Sequence, residues 1–233
     1  MIPLTTQLQR TAPIVLAILL APSAVAAPPR HVTLAYDTSY NGMVVGEVVE
    51  VLEHDSHTYT ITSEVTKGVL SLVGAFKRTS HGKITSQGLQ PDEYRDQRGS
   101  KWAVTAKFDW TALTVTQERD GKSETLKIPR SACDPLSLAY SFAFVPPTGK
   151  EFEVTRADGR GLTPFRFAVV GTEKLATPAG EMQTLHVAKV RDGPEDRSTD
   201  IWFASEKGYL PVRVLVVDKN GTRADQILSR IGN

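Results

Sequence analysis

Apolar residues recur at every second position through most of this chain, a spacing that suits half-buried β-strands and not helices. Val32, Leu34 and Tyr36 fall on one face of a first strand. Asn41-Gly42, a strong hairpin signal, leads into a second strand with Met43, Val45, Val49 and Val51 on a shared face and Glu47 interrupting it. Beyond the polar turn at His54–His57 come Tyr59, Ile61 and Val65, then Trp102, Val104, Ala106 and Phe108, then Leu113 and Val115. Asp120-Gly121 turns the chain towards Leu126 and Ile128. The second half repeats the style at Phe165, Phe167 and Val169, at Met182–Arg191, at Ile201 and Phe203, and at Val212, Val214 and Val216. Asn220-Gly221 then opens a last strand ending near Ile231. Roughly eleven strands follow from these cues. A meander of that size leaves sticky edges unless it curls. The expected fold is therefore all-β: an antiparallel, strongly curved sheet or partial β-barrel with one short helix.

Two segments break the alternation. Asp134–Phe142 supplies the helix, with Asp134 as N-cap and Pro135 at the first helical position. Leu138 and Phe142, with Leu136, are expected to face the sheet, and Pro146-Pro147 stops the helix. It divides the strands into Val32–Ile128 and Phe152–Ile231, but no linker rich in Ser, Gly and Pro separates them. Residues 27–233 are thus expected to form a single domain. The second break, Thr66–Phe76, carries Val69, Leu70, Leu72, Val73 and Phe76 bracketed by Gly68 and Gly74. It reads either as a plug for one end of the core or as a mobile apolar lip over a cavity mouth.

Residues 1–26 have the layout of a secretory signal peptide. Arg10 is the leader's charge, Ala12–Ala21 is apolar apart from Pro13, and Ala24-Val25-Ala26 offers a small-x-small cleavage site. The apolar core of about ten residues is half of the roughly 20 needed to span a bilayer. Cleavage near Ala26 shortens the 233 residues to 207 and removes one base, leaving 26 Lys and Arg against 26 Asp and Glu. A mature chain of zero formal charge has no long-range attraction for nucleic acid or anionic lipid, so a nucleic-acid partner is not expected. Past the leader no long uncharged apolar run occurs, so the mature chain is not expected to span a membrane. Cys133 is the single cysteine, which excludes an internal disulfide and fits a small buried hydrophobe, with an intermolecular bridge or a reactive thiol as the alternative. Leader, lone cysteine and missing span together point to the bacterial periplasm.

A series of local signatures runs in order through the mature chain. Near its start stand Tyr36-Asp37 and Tyr40-Asn41-Gly42-Met43-Val44-Val45-Gly46-Glu47. Gly88-Leu89-Gln90-Pro91, Tyr94-Arg95, Phe108-Asp109-Trp110 and Asp134-Pro135-Leu136-Ser137-Leu138 follow. The later half adds Thr177-Pro178-Ala179-Gly180-Glu181, Ile201-Trp202-Phe203 and Gly208-Tyr209-Leu210-Pro211-Val212-Arg213. In these the chain resembles the bacterial exported family of unknown function DUF3108. The resemblance implies a β-rich envelope protein and brings no catalytic set with it.

Motifs for chemistry are weak. His54-Asp55-Ser56-His57 has metal-ligand spacing but lies in a turn without a third ligand, and Asp and Ser are ordinary turn formers. His186 sits mid-strand, where a satisfied, partly buried histidine is the plainer reading. There is no Gly-x-Ser-x-Gly elbow and no phosphate loop, and Asp92-Glu93 or Asp109-Trp110 do not make a glycosidase pair. No catalytic residue, metal or cofactor is therefore assigned. A curved sheet can enclose apolar space, and a buried acyl chain gains roughly 0.8 kcal/mol per methylene without any polar motif. The leading expectation is non-enzymatic binding or carriage of an apolar, lipid-like envelope component, lined or gated by Val69, Leu70, Leu72, Val73 and Phe76, with Trp102 and Phe142 as wall. The alternatives are an interaction module that docks an envelope protein through strand edges or the charged loop Arg191–Arg197, and an unrecognised hydrolase.

Overall fold

The structure, a computed structural model, describes residues 28–69, 76–99 and 102–232, apart from the side chains of Trp102 and Ala103. The leader at 1–26 and Leu70, Leu72 and Val73 of the apolar break lie outside the described residues. The remainder builds one curled sheet of fifteen strands. In chain order these are β1 (His31–Tyr40), β2 (Met43–His54), β3 (Thr58–Gly68), β4 (Phe76–Thr85), β5 (Gly88–Arg98), β6 (Trp102–Asp109), β7 (Thr114–Arg119) and β8 (Lys122–Lys127). The second group is β9 (Ala132–Cys133), β10 (Glu151–Ala157), β11 (Leu162–Thr177), β12 (Gly180–Lys189), β13 (Ser198–Ala204), β14 (Leu210–Val217) and β15 (Arg223–Gly232). The first group runs outwards from β1 to β8. The second returns towards the middle, so that β15 pairs with β1 and joins both halves into one sheet. Every pairing is antiparallel except β9 with β10.

The turn chemistry explains the tight hairpins. Asn41 and Gly42 have φ of 50° and 83°, and Asp120 and Gly121 have φ of 52° and 73°. Two successive left-handed residues match the twist of the flanking strands, and Asn-Gly and Asp-Gly tolerate them best. The strands beyond the eleven read from alternation are β4, β5, β9 and β10, which carry little periodic signal. β4 and β5 are mostly polar, β9 has two residues, and β10 holds only Phe152 and Val154 as large apolar residues. The buried face of β2 also differs from expectation. Val48 and Leu52 are buried, while Met43 and Val44 are exposed. β1 meets β2 with Thr38 opposite Gly46 and Ser39 opposite Val44, leaving Val45 as an extra residue. That bulge shifts the phase of everything after it by one position.

The curl closes without strand pairing between its edges. The tip joining β10 to β11, residues 158–161, reaches across to β5, β6 and β7. Gly161 N donates to Gln117 Oε1 at 2.7 Å, and Gln117 Nε2 donates back to Gly161 O at 3.1 Å. Gly159, at φ +77°, lies against Val104 and Thr105 so closely that a Cβ would run into Val104 Cγ1. A backbone approach of this kind needs glycine.

Inside the curl sits α1 (Pro135–Ser141). Asp134 caps it, accepting from Leu136 N at 2.8 Å and Ser137 N at 3.0 Å, while Ser137 Oγ accepts from Asp134 N at 2.9 Å. Asp134 also receives the Ser80 hydroxyl of β4 at 2.7 Å, which fastens the helix start to the sheet. Leu136, Ser137 and Tyr140 form the buried face. Leu138 faces the sheet as expected, packing half-buried against the cluster of Phe167, Val187, Ile201 and Phe203, and it also lines a cavity. Phe142 is buried just past the helix, edge-on to Phe152 and Phe203 at 5.1 and 4.7 Å. Cys133 is buried as expected, and burial, with Asp134 beside it, pushes its thiol pKa up.

Candidate functional site: a polar row beneath an apolar trough

The inward positions of four adjacent strands carry a row of polar side chains. The register sets Glu50 opposite Ser63, Ser63 opposite Arg78, and Arg78 opposite Asp96. Their neighbours along the same inner face are Leu52, Ile61, Ser80 and Tyr94, all buried. Glu50 accepts the Tyr140 hydroxyl of α1 at 2.8 Å. Burial raises the Glu50 pKa, against the opposing pull of the Tyr140 and Ser63 hydrogen bonds and the Arg78 charge. Burial likewise holds Asp134 above the usual carboxylate range despite its hydrogen bonds from Ser137, Ser80 and Leu136.

Asp96 is 1% exposed and anchors a cluster of arginines. Its Oδ2 accepts from Arg160 at 2.8 Å and from Arg98 at 3.3 Å, and Oδ1 lies 3.9 Å from Arg78. Asp158 stands 3.5 Å from Arg156 and 4.0 Å from Arg160. Four guanidiniums thus share two carboxylates, a local charge of 4 − 2 = +2. Burial works to raise the Asp96 pKa, but Arg160, Arg78 and Arg98 outweigh it and the net shift is downward. Asp96 is held as the anion.

Above the row opens a cavity of about 430 Å³ between α1 and the strands β10 to β14. Leu138, Phe165, Phe167, Ile201, Val214 and Val216 give it an apolar wall, and Arg78, Arg156, Lys189 and Arg197 also border it. A neighbouring cavity of about 280 Å³ is lined by Val48, Val65 and Phe76 together with Arg78 and Arg98. Both cavities share Arg78, Val214, Val216 and Gln226, so they form one trough with Arg78 at its waist. A third space, about 220 Å³, lies behind the helix against Phe142, Phe152 and Cys133.

Of the residues expected to line a cavity, Phe76 borders the smaller arm of the trough, where Arg98 lies over its ring at 5.6 Å from the centroid. Val69 is 66% exposed just past β3. Leu70, Leu72 and Val73 lie outside the described residues, as does the Trp102 side chain. Phe142 belongs to the third space and not to the trough. The wall falls on strands read from alternation, and two of its members, Phe167 and Ile201, are at the same time buried core residues. In the sequence only half of the row has a signal: Glu50 and Ser63 lie in strands read from alternation, whereas Arg78 and Asp96 lie in β4 and β5, whose polar sequences show no clean alternation.

The remaining candidates have partners within the fold. Among the described residues no group of three His, Cys, Asp or Glu side chains is placed to hold a metal. His54 Nε2 meets Pro28 O at 3.0 Å and His57 Nδ1 meets Ser56 Oγ at 2.8 Å. His186 is stacked on Trp202 at 4.3 Å, with Nε2 2.9 Å from Asp200. In the charged loop, Asp196 is held by Lys189 at 2.6 Å and Arg197 by Asp218 at 2.5 Å. Among the described residues no helix is long and apolar enough to cross a membrane.

Comparison with solved structures finds the same architecture elsewhere. A β-barrel-like protein of the domain of unknown function DUF1849 from Brucella abortus superposes with a TM-score of 0.57 at 10% identity, covering 89% of this chain and 99% of that one. A provisionally assigned lipoprotein from Parabacteroides distasonis gives a TM-score of 0.41 at 11% identity, over 89% of this chain and 98% of that one. The first of these shows a shared fold. No curated protein matches the chain in sequence. The sequence profile of one family does match, over residues 35–227, from within β1 to within β15. The chain belongs to the family of proteins of unknown function DUF3108.

Proposed function

We propose that the protein is a non-enzymatic binding protein of the cell envelope whose trough holds an apolar, lipid-like ligand. The supporting observation is the trough itself. Its larger arm, about 430 Å³, falls within the ~300–1,000 Å³ typical of small-molecule sites. A sheet that only needed a core would fill such a space with side chains. Here α1 leaves Leu138 facing it, and Phe165, Phe167 and Ile201 form a wall on which each methylene taken from water gains about 0.8 kcal/mol. The leader pattern at 1–26 supports a periplasmic location.

The interaction-module reading has less behind it. The outer edge strand β8 is exposed but begins and ends with lysine, which discourages strand addition. The Arg191–Arg197 loop spends Asp196 and Arg197 on internal ion pairs.

Titration of delipidated mature protein with the neutral probe N-phenyl-1-naphthylamine tests the proposal. Saturable, blue-shifted fluorescence is expected, and Val216→Trp, which fills the shared waist of the trough, weakens it roughly tenfold, the size of one lost apolar contact surface. Unsaturable fluorescence with the wild-type protein overturns the proposal.

A further inference from the structure

Resting on the reading that the trough binds an apolar chain, we propose that its ligand is an anionic amphiphile whose carboxylate or phosphate head is held by Arg78 and Arg156. The chain as a whole offers no long-range pull on anions, so the argument is local. Four guanidiniums share two carboxylates in the Asp96–Asp158 cluster, and the two members that open on the larger arm of the trough are the poorly compensated ones. Arg78 approaches its nearest carboxylate oxygen only to 3.9 Å, past hydrogen-bond reach. Arg156 stands 3.5 Å from Asp158, and its Nε is buried with no hydrogen-bond partner among the described residues.

The other cations of the larger arm are already spent. Lys189 donates to both oxygens of Asp196 at 2.6 Å, and Arg197 pairs with Asp218. Arg156 and Lys189 also lie over the Phe165 ring, 4.7 and 5.1 Å from its centroid, so the aromatic wall starts where the positive charge ends. Glu50, the carboxyl of the row that borders the larger arm, is engaged by Tyr140. No Glu50 oxygen comes within ion-pair distance of Arg78, whose nearest carboxylate is Asp96. A guanidinium whose nearest carboxylate lies past hydrogen-bond distance still has N–H groups to offer, and a carboxylate or phosphate can take two of them at once. The adjoining apolar wall selects a head that carries a hydrocarbon chain.

The test is competition against bound N-phenyl-1-naphthylamine with a chain-matched set kept below its micelle concentrations: dodecanoate, dodecyl phosphate, dodecanol and dodecyltrimethylammonium, with inorganic phosphate alone as a further arm. Dodecanoate or dodecyl phosphate is expected to compete at least tenfold better than dodecanol, as one charge-assisted contact allows. Arg78→Gln and Arg156→Gln are each expected to collapse that ratio towards one. Lys122→Gln on the outer edge strand serves as the charge-matched control and keeps it. Equal competition by acid, alcohol and ammonium overturns the head-group assignment and leaves the apolar-ligand reading standing. Competition by inorganic phosphate as strong as by dodecyl phosphate also overturns it, since the site would then be an anion site without a chain. If the probe itself never saturates, the underlying reading fails first.

Discussion

Asp134 joins the local folding of α1 to the trough, and replacing it with alanine separates the two. The carboxylate caps the helix through Leu136 N and Ser137 N and accepts the buried Ser80 hydroxyl at 2.7 Å. Loss of an N-cap costs about 1 kcal/mol. Removing the acceptor of a buried hydroxyl costs about 1–3 kcal/mol, towards the low end here because Ser80 keeps Tyr59 at 3.0 Å. Burial raises the Asp134 pKa, so removing the charge returns part of this. The balance for Asp134→Ala is a loss of about 2 kcal/mol, or roughly 4–8 °C in Tm for a domain of this size. Urea unfolding followed by tryptophan fluorescence measures it. Hydrogen exchange at the amides of Leu138 and Tyr140 shows whether the loss is local, since a helix of seven residues cannot persist on propensity alone. Asp134→Asn keeps an acceptor for both N–H groups and is expected to lose less than about half as much. Equal losses for Ala and Asn, or a loss for Ala below about 0.5 kcal/mol, would refute the capping argument.

Three further outcomes follow from the same contacts. Gly159→Ala forces a Cβ into Val104 Cγ1, 3.0 Å from Thr105 O and at φ +77°, so it is expected to cost about 2–4 kcal/mol, visible as a lowered urea midpoint and faster proteolysis at the 158–161 tip. Glu50 binds its proton more tightly folded than unfolded, so its ionisation destabilises the fold as pH rises from the ordinary glutamate value through the raised one. Glu50→Gln should therefore raise Tm relative to wild type at neutral pH, with the gap closing below pH ~4.3; a gap independent of pH sinks the assignment. Native Cys133 is expected to react with a thiol reagent at least a hundredfold more slowly than the urea-unfolded chain, because the thiol is buried and its pKa raised. Matching rates would contradict that burial.

Most of the fold was legible because period-two alternation and turn chemistry are local signals. Val32, Leu34 and Tyr36 are buried together as their spacing predicts, and Asn41-Gly42 turns where expected. Asp134-Pro135 starts the helix. The site was less legible for three separate reasons. The bulge at Val45 arises from pairing with β1, and no pattern within β2 announces it. The trough wall of Phe165, Phe167 and Ile201 alternates like any core strand, so only the placement of α1 decides that the wall faces a space. The arginine cluster joins Arg78, Asp96 and Arg98 to Arg156 and Arg160, some 60 positions further on, through a tip that docks only once the sheet has curled.

The polar row is an addition to what the topology demands. Inward positions elsewhere in the same sheet are filled by Leu34, Leu52, Ile61, Val104 and Ala106, and these supply the apolar area that folds the strands. Replacing buried ion pairs by well-packed hydrophobes is commonly neutral or stabilising by about 1–4 kcal/mol. A barrel wall that only had to be stable would therefore be served as well by apolar side chains at Glu50, Arg78 and Asp96. Closure does use part of the row, because Arg160 reaches Asp96 at 2.8 Å. One arginine and one carboxylate suffice for that contact. Arg78 and Arg156 exceed it, and both border the trough. Beyond their pairing with Asp96 and Asp158, their positive charge faces that space, where the proposed anionic head would meet it.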